Sequence, residues 1–237
     1  MSGPALPWTL AFELSNPTSG AADASSLALG RGGTVIATEH VAPAAPRSDE
    51  DDLFPAIQRL LEKAGIGVQD LRGGRMAVSV GPGGYTGLRV ACAAAKTLAE
   101  AVGAACVPVP TALVALHAYR QGSGAAGPAA VALASKSDSA WVFVEGDEDA
   151  TAARFIHAAT VGEVLKQRGV SVLIADAHLP GAIREACAGC GVSVVAPALS
   201  AAACLEVAAR LGAIDPALLV PVYAREPDAV TLWKRRA

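Results

Sequence analysis

The chain has 237 residues, a net charge of −3 and 52% apolar residues, of which only a small share is aromatic. That length suits one large domain or two small lobes and buries a core without staples. The charge excludes a domain that grips nucleic acid alone, since such domains carry a basic patch and a high pI; the one basic cluster is Lys234, Arg235 and Arg236.

No apolar stretch reaches the 18 or so residues of a membrane span. Met1–Pro7 lacks the basic start of a secretory signal. The five cysteines are odd in number and follow no framework spacing, as expected of reduced thiols in a cytoplasmic protein.

Trp8–Leu14 reads as a first strand, Ser15–Asp23 as turn chemistry, and Ser25–Leu29 and Thr34–His40 as two further strands joined by a Gly30–Gly33 hairpin turn. A Pro/Ala connector and the acidic run Asp49–Asp52 lead into a helix over Leu53–Ala64. Carboxylates favour such a helix start, and Pro55 is tolerated in the first turn. Leu53, Ile57, Leu60, Leu61 and Ala64 make one apolar face, and Gly65 ends the helix.

Met76–Val80 reads as a buried strand, followed by a glycine-rich loop and a helix from about Gly87 to Val102. Thr86 is expected to cap that helix and Gly103 to stop it. A strand over Cys106–Val109 and a helix over Thr111–Tyr119 complete a first lobe. Gln121–Pro128 reads as a linker.

A second set follows. Strands are expected near Val131–Ser135, Trp141–Glu145 and Ala153–His157. Thr160–Glu163 matches a capping box that opens a helix to Arg168. Val170–Ala175 and Val192–Val195 read as strands, Leu179–Ala188 and Ala201–Leu211 as helices, with Ser200 capping the last and Gly212 stopping it. Strands first, then strands alternating with helices, twice over, predict two α/β lobes, residues 1–120 and 121–237.

The most informative segment is Gly81-Pro82-Gly83-Gly84-Tyr85-Thr86-Gly87-Leu88-Arg89. A strand–loop–helix joint of this kind can bind phosphate through bare N–H groups and the helix dipole. The Lys-Ser/Thr of a Walker loop is absent, and the spacing is not the dinucleotide fingerprint. The alternative is that the glycines let the helix lie tightly on the sheet.

This segment resembles the Gly-Pro-Gly-Ser-Phe-Thr-Gly-Leu/Val-Arg signature of the TsaB (YeaZ) family. Weaker likenesses follow in the same order: Leu10-Ala11-Phe12-Glu13, Ser25 with Leu27 and Leu29, Leu53-Phe54-Pro55-Ala56-Ile57, Pro110-Thr111-Ala112-Leu113 with Ala115 and Leu116, and Pro221-Val222-Tyr223-Ala224-Arg225 with Ala229 and Trp233. The resemblance implies a two-lobed actin/hexokinase-like (ASKHA) fold. It implies a non-catalytic subunit, with no cofactor or metal of its own, that pairs with the catalytic subunit TsaD. The complex recruits the ATPase TsaE and places threonylcarbamoyl on the adenosine next to the anticodon, so tRNA is met only indirectly. A homodimer is the alternative when the chain is alone.

Three departures stand out. Glu13-Leu14-Ser15 replaces the family's Asp-Thr-Ser, with Asn16–Ser19 as extra residues. Arg47-Ser48-Asp49-Glu50 replaces its His-Ser-Glu, and Ala134-Ser135-Lys136 its Asp-Ala-Arg. They leave open a stand-alone ATP-binding enzyme of the same fold or a paralogue that only self-associates.

The helix after the loop supports a partner surface independently. Leu88, Ala91, Cys92, Ala95, Leu98, Ala99 and Val102 form its sheet-facing side, while Val90, Ala94, Thr97 and Ala101 make a second apolar stripe. A helix apolar on most sides is buried on most sides. The stripe, with Phe54, Gln58 and Leu61, is expected to meet a partner's helices, unless another part of the chain covers it.

Catalytic constellations are not visible. There is no Asp-x-Gly-Gly in the second lobe, and Asp147-Glu148-Asp149 reads as a solvated turn. His40, His117, His157 and His178 are scattered, and Cys187–Cys190 is a single CxxC that closes a helix. Nor is there a Gly-x-Ser-x-Gly elbow of a peptidase.

Overall fold

The computed structural model describes residues 6–15, 25–42, 52–123, 127–136, 138–152 and 155–225. The expected turn at Ser15–Asp23, most of the acidic run and the Arg47–Glu50 departure, part of the linker, and the basic C-terminus thus lie largely outside the described residues.

The first sheet has the order β3-β2-β1-β4-β5. Its strands are β1 (Trp8–Glu13), β2 (Ser26–Arg31), β3 (Thr34–His40), β4 (Arg75–Gly81) and β5 (Ala105–Pro110). The first three form an antiparallel meander and the last two run parallel to β1. Leu10 and Phe12 point to one face of β1 and Ala11 to the other, so both faces are apolar and both are covered. The outer face carries α1 (Leu53–Lys63) and α2 (Tyr85–Val102), packed with Met76, Val78 and Val80.

The second sheet repeats the plan. Its order is β10-β9-β6-β7-β8, with β6 (Ala129–Lys136), β7 (Ser139–Val144), β8 (Phe155–His157), β9 (Val172–Ala175) and β10 (Ser193–Val195). Read from β8, this is the same arrangement of a meander followed by two parallel strands. Helices α4 (Ala158–Gln167) and α5 (Gly181–Gly189) cover its outer face.

Between the sheets lie α3 (Thr111–Ser123) and α6 (Ala201–Ala208). They are exchanged: α3 bridges from β4 and β5 of the first sheet to β6 and β9 of the second, while α6 crosses back onto all five strands of the first. Beyond α6 the chain stays on the first sheet. Ile214 bridges to Cys106, Leu219 enters the outer core, and the Val222 N–H donates to the Val80 carbonyl at 2.7 Å.

The predicted strands all form. The helices differ in detail. Thr86 does not cap α2, because Gly84 is the N-cap and Thr86 already lies in the first turn. Thr160 is not a cap either: α4 begins at Ala158 after His157, and the Thr160 hydroxyl donates back to the His157 carbonyl. α3 runs on to Ser123, into the expected linker. Asp52 holds the N-cap position of α1 without capping it, its carboxylate instead accepting from Arg59 and from the Ala42 N–H. Ser200 does cap α6, accepting from the Ala203 N–H at 3.2 Å.

Candidate functional site at the glycine loop and the outer helices

β4 delivers Gly81 and Pro82 across a cis peptide bond into the loop. The end of β1 runs directly against it. A Cβ on Gly83 would overlap the Ser15 carbonyl, and one on Gly87 the Leu14 carbonyl. The Gly84 N–H donates to that same Ser15 carbonyl. On the other side, the Val222 carbonyl sits where Gly81 would carry a side chain. The room that the glycines make is therefore taken by carbonyl oxygens of the chain's own backbone. An anion there would meet acceptors, so the geometry favours the packing reading of the loop over the phosphate reading.

The C-terminal Pro221–Arg225 segment joins the same place. Tyr223 stacks on Tyr85, with ring centroids 5.0 Å apart and planes at 30°. Arg89 reaches back one turn, its Nη1 donating to the Tyr85 hydroxyl at 2.9 Å. Both rings remain substantially exposed. Sequence reasoning placed Tyr85 and Tyr223 in two separate likenesses and missed that they touch; no periodicity links residues so far apart.

Beneath the loop is a buried polar cluster. Glu13 is fully buried on the inter-sheet face of β1. Its Oε1 accepts from the Ser15 N–H at 2.8 Å and from the Ser15 hydroxyl. Ser79 and Thr111 hydroxyls pair at 2.8 Å, and Thr111 Oγ1 accepts from the Gly81 N–H at 3.0 Å. Burial raises the Glu13 pKa above the usual carboxylate range, only partly offset by the hydrogen bonds it accepts.

The predicted partner residues divide. Phe54, Gln58, Thr97 and Ala101 are exposed and Val90 is half-buried. Leu61 and Ala94, by contrast, lie in the chain's own outer core and are not surface residues. A helical period assigns a face but not how far a neighbour wraps around it. The chain also covers part of α2 itself: Lys96 Nζ donates to the Ala217 and Leu219 carbonyls at 3.0 and 3.3 Å. What stays open is Phe54 and Gln58 on α1 and Thr97 and Ala101 on α2.

The other singled-out residues behave as structure. His117 pairs with Glu206 at 2.6 Å, tying α3 to α6. Asp147 takes an ion pair from Arg168 at 2.8 Å. Burial pushes the Cys92, Cys106 and Cys187 thiols up to about 11, and Cys204 also rises. Among the described residues no group of three or more His, Cys, Asp or Glu is placed to hold a metal, and no helix is long and apolar enough to cross a membrane.

Two sheets of one strand order, with exchanged helices between them, define a two-lobed α/β protein of the actin/hexokinase-like type. Solved structures agree. YeaZ from Pseudomonas aeruginosa superposes with a TM-score of 0.61 at 20% identity, over 92% of this chain and 100% of that one. A Pseudomonas aeruginosa protein described as similar to peptidase YEAZ gives 0.60 at 20%, over 93% and 100%. No curated protein sequence matches the chain. The family model described as TsaD, tRNA N6-adenosine threonylcarbamoyltransferase, matches residues 41–166. The chain belongs to this family, and its fold is that of YeaZ.

Proposed function

We propose that this chain is a non-catalytic subunit of a cytoplasmic machinery that threonylcarbamoylates the tRNA adenosine next to the anticodon. In that role it binds a TsaD-like catalytic subunit, and a TsaE-like ATPase joins through the complex. The observation that carries the reading is the closed glycine loop. In a working nucleotide site the loop's N–H groups would face the ligand, whereas here the backbone of Leu14, Ser15 and Val222 packs against the glycines. The family match supports the pathway, and the exposed side chains of Phe54, Gln58, Thr97 and Ala101 are offered to a partner's helices. The acidic balance suits a subunit that leaves tRNA to others.

Affinity capture of the tagged chain from its own cells, with mass spectrometry of what stays bound, tests this. Recovery of a TsaD-like subunit in near-equal amount is expected. The double variant Phe54→Asp with Ala101→Glu should lose it while keeping the wild-type Tm, since both positions are exposed. Recovery of the chain alone would mean a self-associating paralogue and would end the tRNA assignment.

A further inference from the structure

Leu113, Leu116, His117 and Arg120 recur at three- and four-residue intervals along α3 and so share one face of it. They line a pocket of about 340 Å³ together with Glu145, which follows β7. The same pocket takes in Val207, in the last turn of α6, and Arg210 and Leu211 just past its end. Leu116 and Val207 are buried and Leu113 and Leu211 half-buried, so the walls are aliphatic. Small-molecule sites have this size and this make-up, with a few polar groups that fix the ligand's orientation.

The polar groups of the pocket are paired, with one exception. Arg120 pairs with Glu145, whose carboxylate also accepts from the Ala129 N–H at 3.1 Å. His117 pairs with Glu206. Arg210 is exposed, and its side chain has no ion pair or hydrogen bond among the described residues. An arginine at the end of a helix commonly serves the last carbonyls. Here Arg75 of β4 has taken that part, donating to the Ala208 and Leu211 carbonyls at 3.4 and 2.7 Å. Those bonds fix the turn that carries Arg210, as does its own N–H, which donates to the Val207 carbonyl at 3.1 Å. The pocket is therefore aliphatic within and carries one uncompensated positive charge on a firm support.

An apolar cavity with a single free guanidinium complements a molecule with an apolar body and a single negative charge, since the guanidinium fork fits a carboxylate. We propose that the pocket between α3 and α6 binds an amphipathic monocarboxylate of the medium-chain fatty-acid type. Its chain lies against Leu113, Leu116, Val207 and Leu211, and its carboxylate meets Arg210. A phosphate ester would bring nearly two negative charges beside Glu145 and Glu206, and a neutral apolar ligand would leave Arg210 unused. The pocket shares no residue with the glycine loop or with α1 and α2, so it stands whether or not a catalytic subunit is bound.

Calorimetric titration of the full chain with octanoate, octanol and butyrate, at matched ionic strength, tests it. Octanoate should bind saturably. Octanol, which lacks the charge, should bind about tenfold more weakly or worse, and butyrate, which lacks most of the chain, about a hundredfold more weakly. Arg210→Gln changes an exposed side chain and should keep the fold; it should weaken octanoate by about tenfold and leave octanol unchanged. Leu113→Asp, at a half-buried wall position, should abolish octanoate binding. No saturable binding of octanoate, octanol binding as tightly as octanoate, or octanoate binding unchanged in Arg210→Gln overturns the proposal.

Discussion

Glu13 illustrates how one atom's surroundings set a protein-wide property. Its carboxyl sits between the sheets beside Ser15 and near Cys204. Because burial raises its pKa, the folded state holds this proton more tightly than the unfolded chain does. The stability linked to that proton is full below the ordinary glutamate pKa of 4.5 and is lost as pH rises through the higher folded value. Glu13→Gln cannot ionise and should lack this slope. Denaturant unfolding from acid to mildly alkaline pH should show the wild type losing stability relative to the variant; parallel curves would refute the assignment. Sequence showed that Glu13 stands where the family has an aspartate. It did not show that the residue is sealed, which depends on α6 arriving from the far end of the chain.

At the scale of elements, α2 is seated by its glycines. Gly87→Ala would push a methyl group into the Leu14 carbonyl, and backbone cannot swing aside as a side chain can. The helix must lift from β1, at a cost of about 1–3 kcal/mol or more, read as a fall of several degrees in Tm. Gly122→Ala, in open space within α3, is the control and should be neutral or slightly stabilising. Strands and most helices were legible because their apolar spacing is local. Helix starts were less so. Thr86 and Thr160 have the right chemistry for caps, but α2 begins where Gly84 is held by Ser15, a contact with β1 that no capping motif encodes. Ser200 was legible because its cap hydrogen bond is made within the helix itself. Leu61 and Ala94 were misplaced on the surface for a related reason: periodicity fixes direction around a helix axis, while burial depends on what else is packed there.

For the whole molecule, the repeated strand order was legible as two sets of elements, whereas the exchange of α3 and α6 was not. The two helices share one inter-sheet core, drawing on Ala11, Ala77 and Val109 of the first sheet and Val131, Leu133 and Trp141 of the second. Unfolding should be a single transition, with calorimetric and van't Hoff enthalpies equal; two resolved peaks would show that the lobes melt apart. The exchange also bears on synthesis. When Pro110 leaves the ribosome the first sheet has all its strands, and α3 soon covers β4 and β5, yet the inner face over β1, β2 and β3 stays uncovered until Ala208 has followed. Throughout that interval the nascent chain displays an apolar sheet only half closed, a state prone to aggregation. The earliest-made half of the protein is thus among the last to be finished, and its yield in cells should depend on whatever shields that face while translation continues.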